Sequence, residues 1–169
     1  MHTLEFYSDE ELYKIIHRSA GVLEVPIDDD GAIELAARSR GTPRIANRLL
    51  RRVRDFAQVE GDGRITKSLA RDALELLGID DKGLQPSDRR LMKLLIERYR
   101  DYPVGLKTLS VSLGEEADTI AEVYEPYLIK IGFIARTPRG RVATPSALEY
   151  FGVSDANKNS QARLPFNGE

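Results

Sequence analysis

Cysteine is absent from this chain of 169 residues, which excludes disulfides and thiolate metal sites and fits a reducing cytoplasm. Tryptophan is absent too, and the two histidines, His2 and His17, are too few for a histidine-based metal site. No uncharged apolar run comes near the roughly 20 residues of a membrane helix. Met1–Phe6 lacks the charged-then-apolar layout of a signal peptide. No catalytic triad or nucleophile elbow is visible. Nor is there a G-x-x-x-x-G-K-[ST] motif or a strand-ending acid pair to hold magnesium, so this chain on its own cannot cradle a nucleotide triphosphate. Internal repeats and low-complexity tracts are also missing.

What remains is an ordinary soluble globular composition: 41% apolar and 31% charged residues do not describe a disordered chain. A net charge of −2 argues mildly against a nucleic-acid footprint over the whole chain. The charge is zoned, however. Arg38, Arg40, Arg44, Arg48, Arg51, Arg52 and Arg54 fall in one stretch with no acid among them, and a second acid-free stretch, Pro126–Leu148, carries Lys130, Arg136, Arg139 and Arg141. Acids concentrate in Ser8–Glu11, Asp28–Asp30 and Glu115–Glu125. Two zones are therefore suited to phosphate.

The first half predicts a small bundle of four helices. Ser8 and Glu11 form a capping box, with Tyr7 and Leu12 placed for a hydrophobic staple, and Leu12, Ile15, Ile16, Ser19 and Leu23 keep helical spacing. Acids at Asp28–Asp30 open a second helix that turns Ile33, Leu35 and Ala36 inward and ends at Gly41. Thr42 caps a third, with Pro43 at its first position and Ile45, Leu49, Val53 and Phe56 inside. Thr66 caps a fourth, with Leu69, Ala73, Leu74 and Leu77 inside and Gly78 at its end.

After the charged stretch Ile79–Gln85 the pattern changes. Pro86–Asp88 open a helix with Leu91, Leu94 and Leu95 on one face. A short second helix turns Leu106, Leu109, Val111 and Leu113 inward. The third starts at Asp118 and carries Ile120, Val123, Tyr124, Tyr127, Leu128 and Ile131, with Pro126 expected to kink or break it. Phe133–Arg136 and Arg141–Thr144 then read as two strands around a turn. Three helices and a basic hairpin make a winged helix-turn-helix. The fold expected is mainly α: a four-helix domain over residues 1–78, a linker at 79–85, a winged helix over 86–152, and a loose tail at 153–169.

Several residues invite chemistry. Gly41–Thr42–Pro43–Arg44 is a helix start with free amides, the positive end of a dipole and a guanidinium in its first turn, which suits an anion; taken alone, these residues favour an ordinary capped start with a solvated arginine. Arg48, Arg51 and Arg52 line a nucleotide, nucleic-acid or oligomer surface, or else form a solvated face. Arg136 and Arg141 flank a tight turn holding Pro138, Arg139 and Gly140; side chains alternate along strands, so the turn gathers arginines at a wing tip where phosphate is the natural partner, the alternative being a hairpin that only solubilises. Tyr7 is the staple residue or a ring for stacking on a base.

The run Arg40-Gly-Thr-Pro-Arg-Ile-Ala-Asn-Arg-Leu-Leu-Arg-Arg-Val-Arg-Asp-Phe-Ala57 resembles the RuvB family almost letter for letter. So do Leu4–Tyr7, Glu125–Ile129, Gly132–Phe133 and Arg136–Arg141. The likeness covers nearly all of Leu4 to Gly152. In that family an AAA+ ATPase core precedes a helical lid and a winged helix, and the two halves of this chain are similar to the last two. The resemblance implies an ATP-dependent DNA motor for Holliday-junction branch migration in recombination and repair. It also implies a hexameric ring on duplex DNA, ATP with magnesium in the intact protein, the partner RuvA docked through the core domain, and a cytoplasmic location. It gives Arg44 the sensor-2 role at the nucleotide's terminal phosphates, places Tyr7 beside the nucleotide, and assigns Arg136, Arg141 and Arg139 to DNA. Where some relatives carry a basic residue at the start of the third winged-helix helix, this chain has Ala117, which shifts DNA binding toward the wing. Met1-His2-Thr3, just upstream of a family motif, points to a piece cut from a longer protein, and the piece alone is expected to hold no tightly bound nucleotide. The competing readings are a winged-helix transcriptional regulator with a helical effector domain and an all-helical adaptor without nucleic acid; the regulator would read bases with its third helix, which here is acidic on its exposed face, with Glu116, Asp118, Glu122 and Glu125, and so a poor base reader.

Overall fold

The computed structural model describes residues 5–100 and 102–153. The chain falls into two compact units, dividing between Ser87 and Asp88.

The first unit is built from α1 (Asp9–Val22), α2 (Asp29–Ala37), α3 (Pro43–Glu60) and α4 (Lys67–Leu76). The capping box at the head of α1 is formed: the Ser8 amide donates to the Glu11 carboxylate at 2.8 Å and the Glu11 amide to the Ser8 hydroxyl at 3.1 Å. Leu12, Ile16, Leu35, Leu49, Leu50, Val53, Ile65 and Leu74 close into one core, with Ile45 and Phe56 packed at its margin. The loops before α2 and α4 are stitched together, the Asp28 amide to the Ile65 carbonyl and the Ile65 amide to the Pro26 carbonyl, each at 2.9 Å.

Helix α2 stops short of the Gly41 expected from sequence. The Ser39 hydroxyl donates to the Leu35 carbonyl at 2.5 Å, taking the acceptor that the Ser39 amide would have used in another α turn. That amide bonds one residue closer, to Ala36, and the chain leaves through Arg40 and Gly41, both at positive φ (60° and 69°). Ile33 also departs from expectation, standing 53% exposed while Ala32 takes the inward place. Residues 79–85, read as a linker, pack onto this unit: Ile79 and Leu84 are buried, and Arg38 reaches the Ile79 carbonyl at 3.3 Å.

The second unit comprises α5 (Pro86–Glu97), α6 (Leu106–Leu113), α7 (Ala117–Thr119), a π-helical turn (Ile120–Tyr124), α8 (Glu125–Lys130), the antiparallel strands β1 (Ile134–Thr137) and β2 (Gly140–Ala143), and α9 (Pro145–Tyr150). Helix α5 begins just before the division. Leu91, Met92, Leu95, Leu109, Ile120, Leu128 and Phe133 are buried, whereas Val111 and Val123, both expected inside, face solvent. Pro126 neither breaks nor sharply ends the helix. The Glu125 amide bonds to the Ile120 carbonyl five residues back, so the helix widens by one residue just before the ring that lacks a donor. This slip advances the following residues by about 100° of helix phase. Val123 consequently turns out and Glu125 turns in.

The strands pair with Arg136 directly opposite Arg141 and Thr137 opposite Gly140. Val104, just ahead of α6, adds a third backbone: it exchanges hydrogen bonds of 2.9 and 2.8 Å with Arg141. Sequence reasoning assigned no helix to α9. Its start, Thr144–Pro145, repeats the Thr42–Pro43 signal, and the Thr144 hydroxyl accepts from the Ala147 amide at 3.3 Å. Phe133, Tyr150 and Phe151 then stack with ring centroids 5.1 to 6.1 Å apart. The tail expected at 153–169 lies outside the described residues but for Val153.

Gly140 stands at φ +140°, and a Cβ there would come within 2.4 Å of the Val104 backbone. Gly140→Ala is expected to cost the second unit at least about 2 kcal/mol, by strain and collision together. Gly63, at φ +88° with open space around it, should cost the first unit only about 1 kcal/mol on the same change. Chemical denaturation of the two variants against the parent chain checks both the size and the order.

Candidate functional site

In the first unit, the head of α3 and the strand-like approach to α1 meet. The Tyr7 amide donates to the Gly41 carbonyl at 2.8 Å, so residues 34 apart in sequence, Tyr7 and Gly41, share one corner with the start of α3. Tyr7 stands 42% exposed there. Thr42 has the extended backbone of a cap (φ −124°, ψ 117°), but its hydroxyl makes no capping bond. It donates to the Arg40 carbonyl instead, at 3.3 Å. Pro43 has no amide to satisfy, and the next amides, of Arg44 and Ile45, are left without a side-chain cap. Arg44 itself is exposed, with no hydrogen bond or ion pair among the described residues. A guanidinium in the first turn works against the helix dipole by a few tenths of a kcal/mol. An anion at this corner would satisfy the amides, the dipole and the guanidinium together.

The arginine stretch divides by burial. Arg38 is 7% exposed and bonds Glu34 and Asp81, while Arg40 is 6% exposed; these two belong to the fold. Arg54 pairs with Asp55, its neighbour in sequence, at 2.9 Å. Arg48, Arg51 and Arg52 stand exposed on α3 without an acid partner among the described residues. Arg48 and Arg52 also line a cavity of 240 Å³ with Leu49, Leu77 and Ile79.

The second unit holds the other cluster. Arg136 and Arg141, expected as free phosphate ligands, both contact Glu125. Arg141 donates through Nε to Oε1 at 2.5 Å and through Nη2 to Oε2 at 3.3 Å; Arg136 donates through Nη2 to Oε2 at 2.6 Å. The Glu125 side chain is wholly buried, Arg141's is 18% exposed and Arg136's is 54% exposed. Arg139 sits exposed at the tip, without a side-chain partner among the described residues. The turn beneath it is held by Thr137, whose hydroxyl donates to the Gly140 carbonyl at 2.9 Å and accepts from the Arg139 amide at 3.2 Å.

Glu125 is the residue that sequence reasoning misplaced, on an exposed acidic face with Glu116, Asp118 and Glu122. Pro126 was the available signal: a proline that a helix absorbs through a π turn shifts the phase of its predecessor, and an alternating hairpin with two arginines on one face supplies the partners. Among the described residues no group of histidine, aspartate and glutamate could hold a metal ion, and no helix is long and apolar enough to cross a membrane.

The comparisons agree with one another. The family model described as the RuvB AAA lid domain matches residues 7–80, and that of the RuvB C-terminal winged helix domain matches residues 81–152. A Holliday junction branch migration complex subunit RuvB of Thermobifida fusca is 59% identical over 151 residues, covering 89% of this chain and 43% of that protein. The protein of the same name from Koribacter versatilis is 58% identical, covering 92% and 43%. Among solved structures, the Thermotoga maritima RuvB Holliday junction branch migration motor superposes with a TM-score of 0.85 at 51% identity, covering 89% of this chain and 51% of that one. The chain spans less than half the length of these curated relatives. The findings give no support to a winged-helix transcriptional regulator.

One consequence of the buried arginine in the first unit is measurable by pH. Burial alone would raise the Glu34 carboxyl, but the Arg71 hydrogen bond and the charges of Arg38, Arg71 and Lys67 outweigh it and hold the group below its ordinary value. A carboxyl lowered on folding lends stability above its unfolded pKa and loses it as pH falls through the folded value. The parent chain should therefore lose more stability than Glu34→Gln between about pH 6 and about pH 3. Denaturant midpoints of both proteins at the two pH values check this; parallel losses would show that Glu34 contributes nothing.

Proposed function

The chain belongs to the RuvB family and carries its lid and winged-helix domains, and from that premise we propose that it is the carboxy-terminal part of an ATP-dependent DNA motor acting at Holliday junctions. Residues 1–78 are the nucleotide-sensing lid, 79–85 the connection, and 86–152 the part that grips duplex DNA. The intact protein works in the cytoplasm as a hexameric ring on DNA and meets RuvA through a domain outside this chain. ATP with magnesium supplies the driving hydrolysis; in this chain, Arg44 and Tyr7 are the residues that would face the nucleotide. Their fit rests on the shared corner at the head of α3, where an unpaired guanidinium and uncapped amides gather. This chain, lacking a phosphate cradle, is expected to show no ATP turnover of its own, with or without DNA.

The observation that carries the DNA reading is the hairpin that brings Arg136 and Arg141 opposite each other with Arg139 at its tip. Phosphate contacts of this kind hold a duplex without reading its sequence. Replacing Arg136 and Arg141 together by alanine should weaken binding about equally on two unrelated duplexes. It should also flatten log K against log salt by roughly one unit per lost contact. Fluorescence anisotropy across a salt series measures both; an unchanged slope and affinity would remove the wing from DNA binding. In a full-length protein with this lid, Arg44→Ala should slow ATP hydrolysis by roughly a hundredfold or more, with the fold intact. A steady-state assay with a parallel thermal melt decides it, and near-normal turnover would leave Arg44 as a surface residue.

A further inference from the structure

The wing arginines raise a difficulty that the hairpin alone does not solve. Arg136 and Arg141 are cross-strand partners, and like charges placed directly opposite repel and turn away from one another. Glu125 lies between them with both carboxylate oxygens engaged and no exposure to solvent. A guanidinium has five N–H groups; the carboxylate takes one from Arg136 and two from Arg141. The rest find no partner among the described residues, and Arg136 in particular presents more than half of its side chain to solvent.

We propose that Glu125 is a positioning residue for DNA gripping: its buried carboxylate holds Arg136 and Arg141 side by side so that their remaining N–H groups meet phosphate together. The inference rests on the reading of the wing as the DNA-contacting part. It draws on the π turn ahead of Pro126, which turns Glu125 inward. The hairpin does not need Glu125 to form, because backbone pairing, the bonds to Val104 and the Phe133–Tyr150–Phe151 stack hold it independently. What the carboxylate adds is a fixed direction for two long side chains, which spares DNA the entropy of ordering them.

The test turns on a sign. Glu125 brings negative charge to a DNA-binding surface, so electrostatics alone says that Glu125→Gln binds duplex more tightly. If Glu125 positions the arginines, Glu125→Gln binds at least about fivefold more weakly, in the range of coupling between contacting residues. Its salt slope should also be flatter. The probe is a duplex of random sequence, read by anisotropy with the 169-residue chain, and a thermal melt shows that the variant is folded. Unchanged or tighter binding overturns the proposal. The Arg136→Ala, Arg141→Ala double variant separates the two readings. Should it bind like the parent, the wing itself is not the DNA contact; should it lose binding while Glu125→Gln does not, only the positioning role is lost. A measurement on the unaltered chain covers a variant that fails to fold. The Arg141 Nε–H should exchange with water more slowly than the Arg139 Nε–H by nitrogen-15 NMR, and should stay protected when duplex is added. Exchange as fast as Arg139's, or protection lost on adding DNA, means that the carboxylate is absent from the arginines or is displaced by phosphate, and either overturns the proposal.

Discussion

A carboxylate shut away from water must be neutralised where it lies, because breaking such a pair by removing one side costs about 3–5 kcal/mol. In the second unit that carboxylate is Glu125, and several separately held elements converge on it. Pro126 draws the helix into a π turn, the turn swings Glu125 inward, and the hairpin register places Arg136 and Arg141 opposite one another where the carboxylate can bridge them. Val104 then fastens to the backbone of Arg141, at a distance that leaves no room for a Cβ on the neighbouring Gly140. A buried triad of this type gives little net stability, since apolar residues of similar volume can replace it at no loss. Its physical return is orientation.

The first unit solves the opposite problem. Its arginines look equivalent in sequence, seven within one acid-free stretch, yet the fold sorts them by the partners it can bring from elsewhere. Arg38 finds Glu34 one turn back on α2 and Asp81 from the segment beyond α4. Arg44, Arg48, Arg51 and Arg52 are given no acid among the described residues and remain at the surface of α3. Repulsion between cations one turn apart on a helix costs a few tenths of a kcal/mol per pair, a small penalty that a core such as Leu49, Leu50 and Val53 offsets easily. The fold tolerates this row of charge without needing it.

Much of the architecture was legible because it is written in local chemistry. Ser8 with Glu11, Pro43 after Thr42, and the glycines that close helices all act within a turn of themselves, and the apolar spacing of α1, α3, α4 and α5 survives into the core. What escaped is non-local or depends on phase. Val111, Val123 and Ile33 satisfy a spacing rule but stand exposed among the described residues. Glu125 was read outward because the π turn adds a residue that periodicity cannot see. The approach of Tyr7 to Gly41 was legible in neither residue alone, since a single backbone bond across the unit makes it. For the candidate sites the residue types were readable, but their allocation among free, half-spent and buried was not.

That allocation bears on how the wing would hold a duplex. Glu116, Asp118 and Glu122 remain exposed along α7 and the π turn, so the surface that would enter a groove in a base-reading winged helix would repel phosphate on either side of it. Glu125 is removed from that acidic face and spent on the arginines, where its charge is cancelled twice over by the cations it touches. The same side chain therefore lightens the repulsion on the helix and disciplines the attraction on the hairpin. On the proposed reading a duplex approaching this unit would find favourable contacts at Arg136, Arg139 and the open edge of Arg141, on the wing, of a kind that grips backbone without reference to sequence. On the proposed reading, in which the intact protein moves along whatever DNA it encloses, indifference to sequence is the physical requirement, and a wing of oriented arginines beside an acidic helix would meet it.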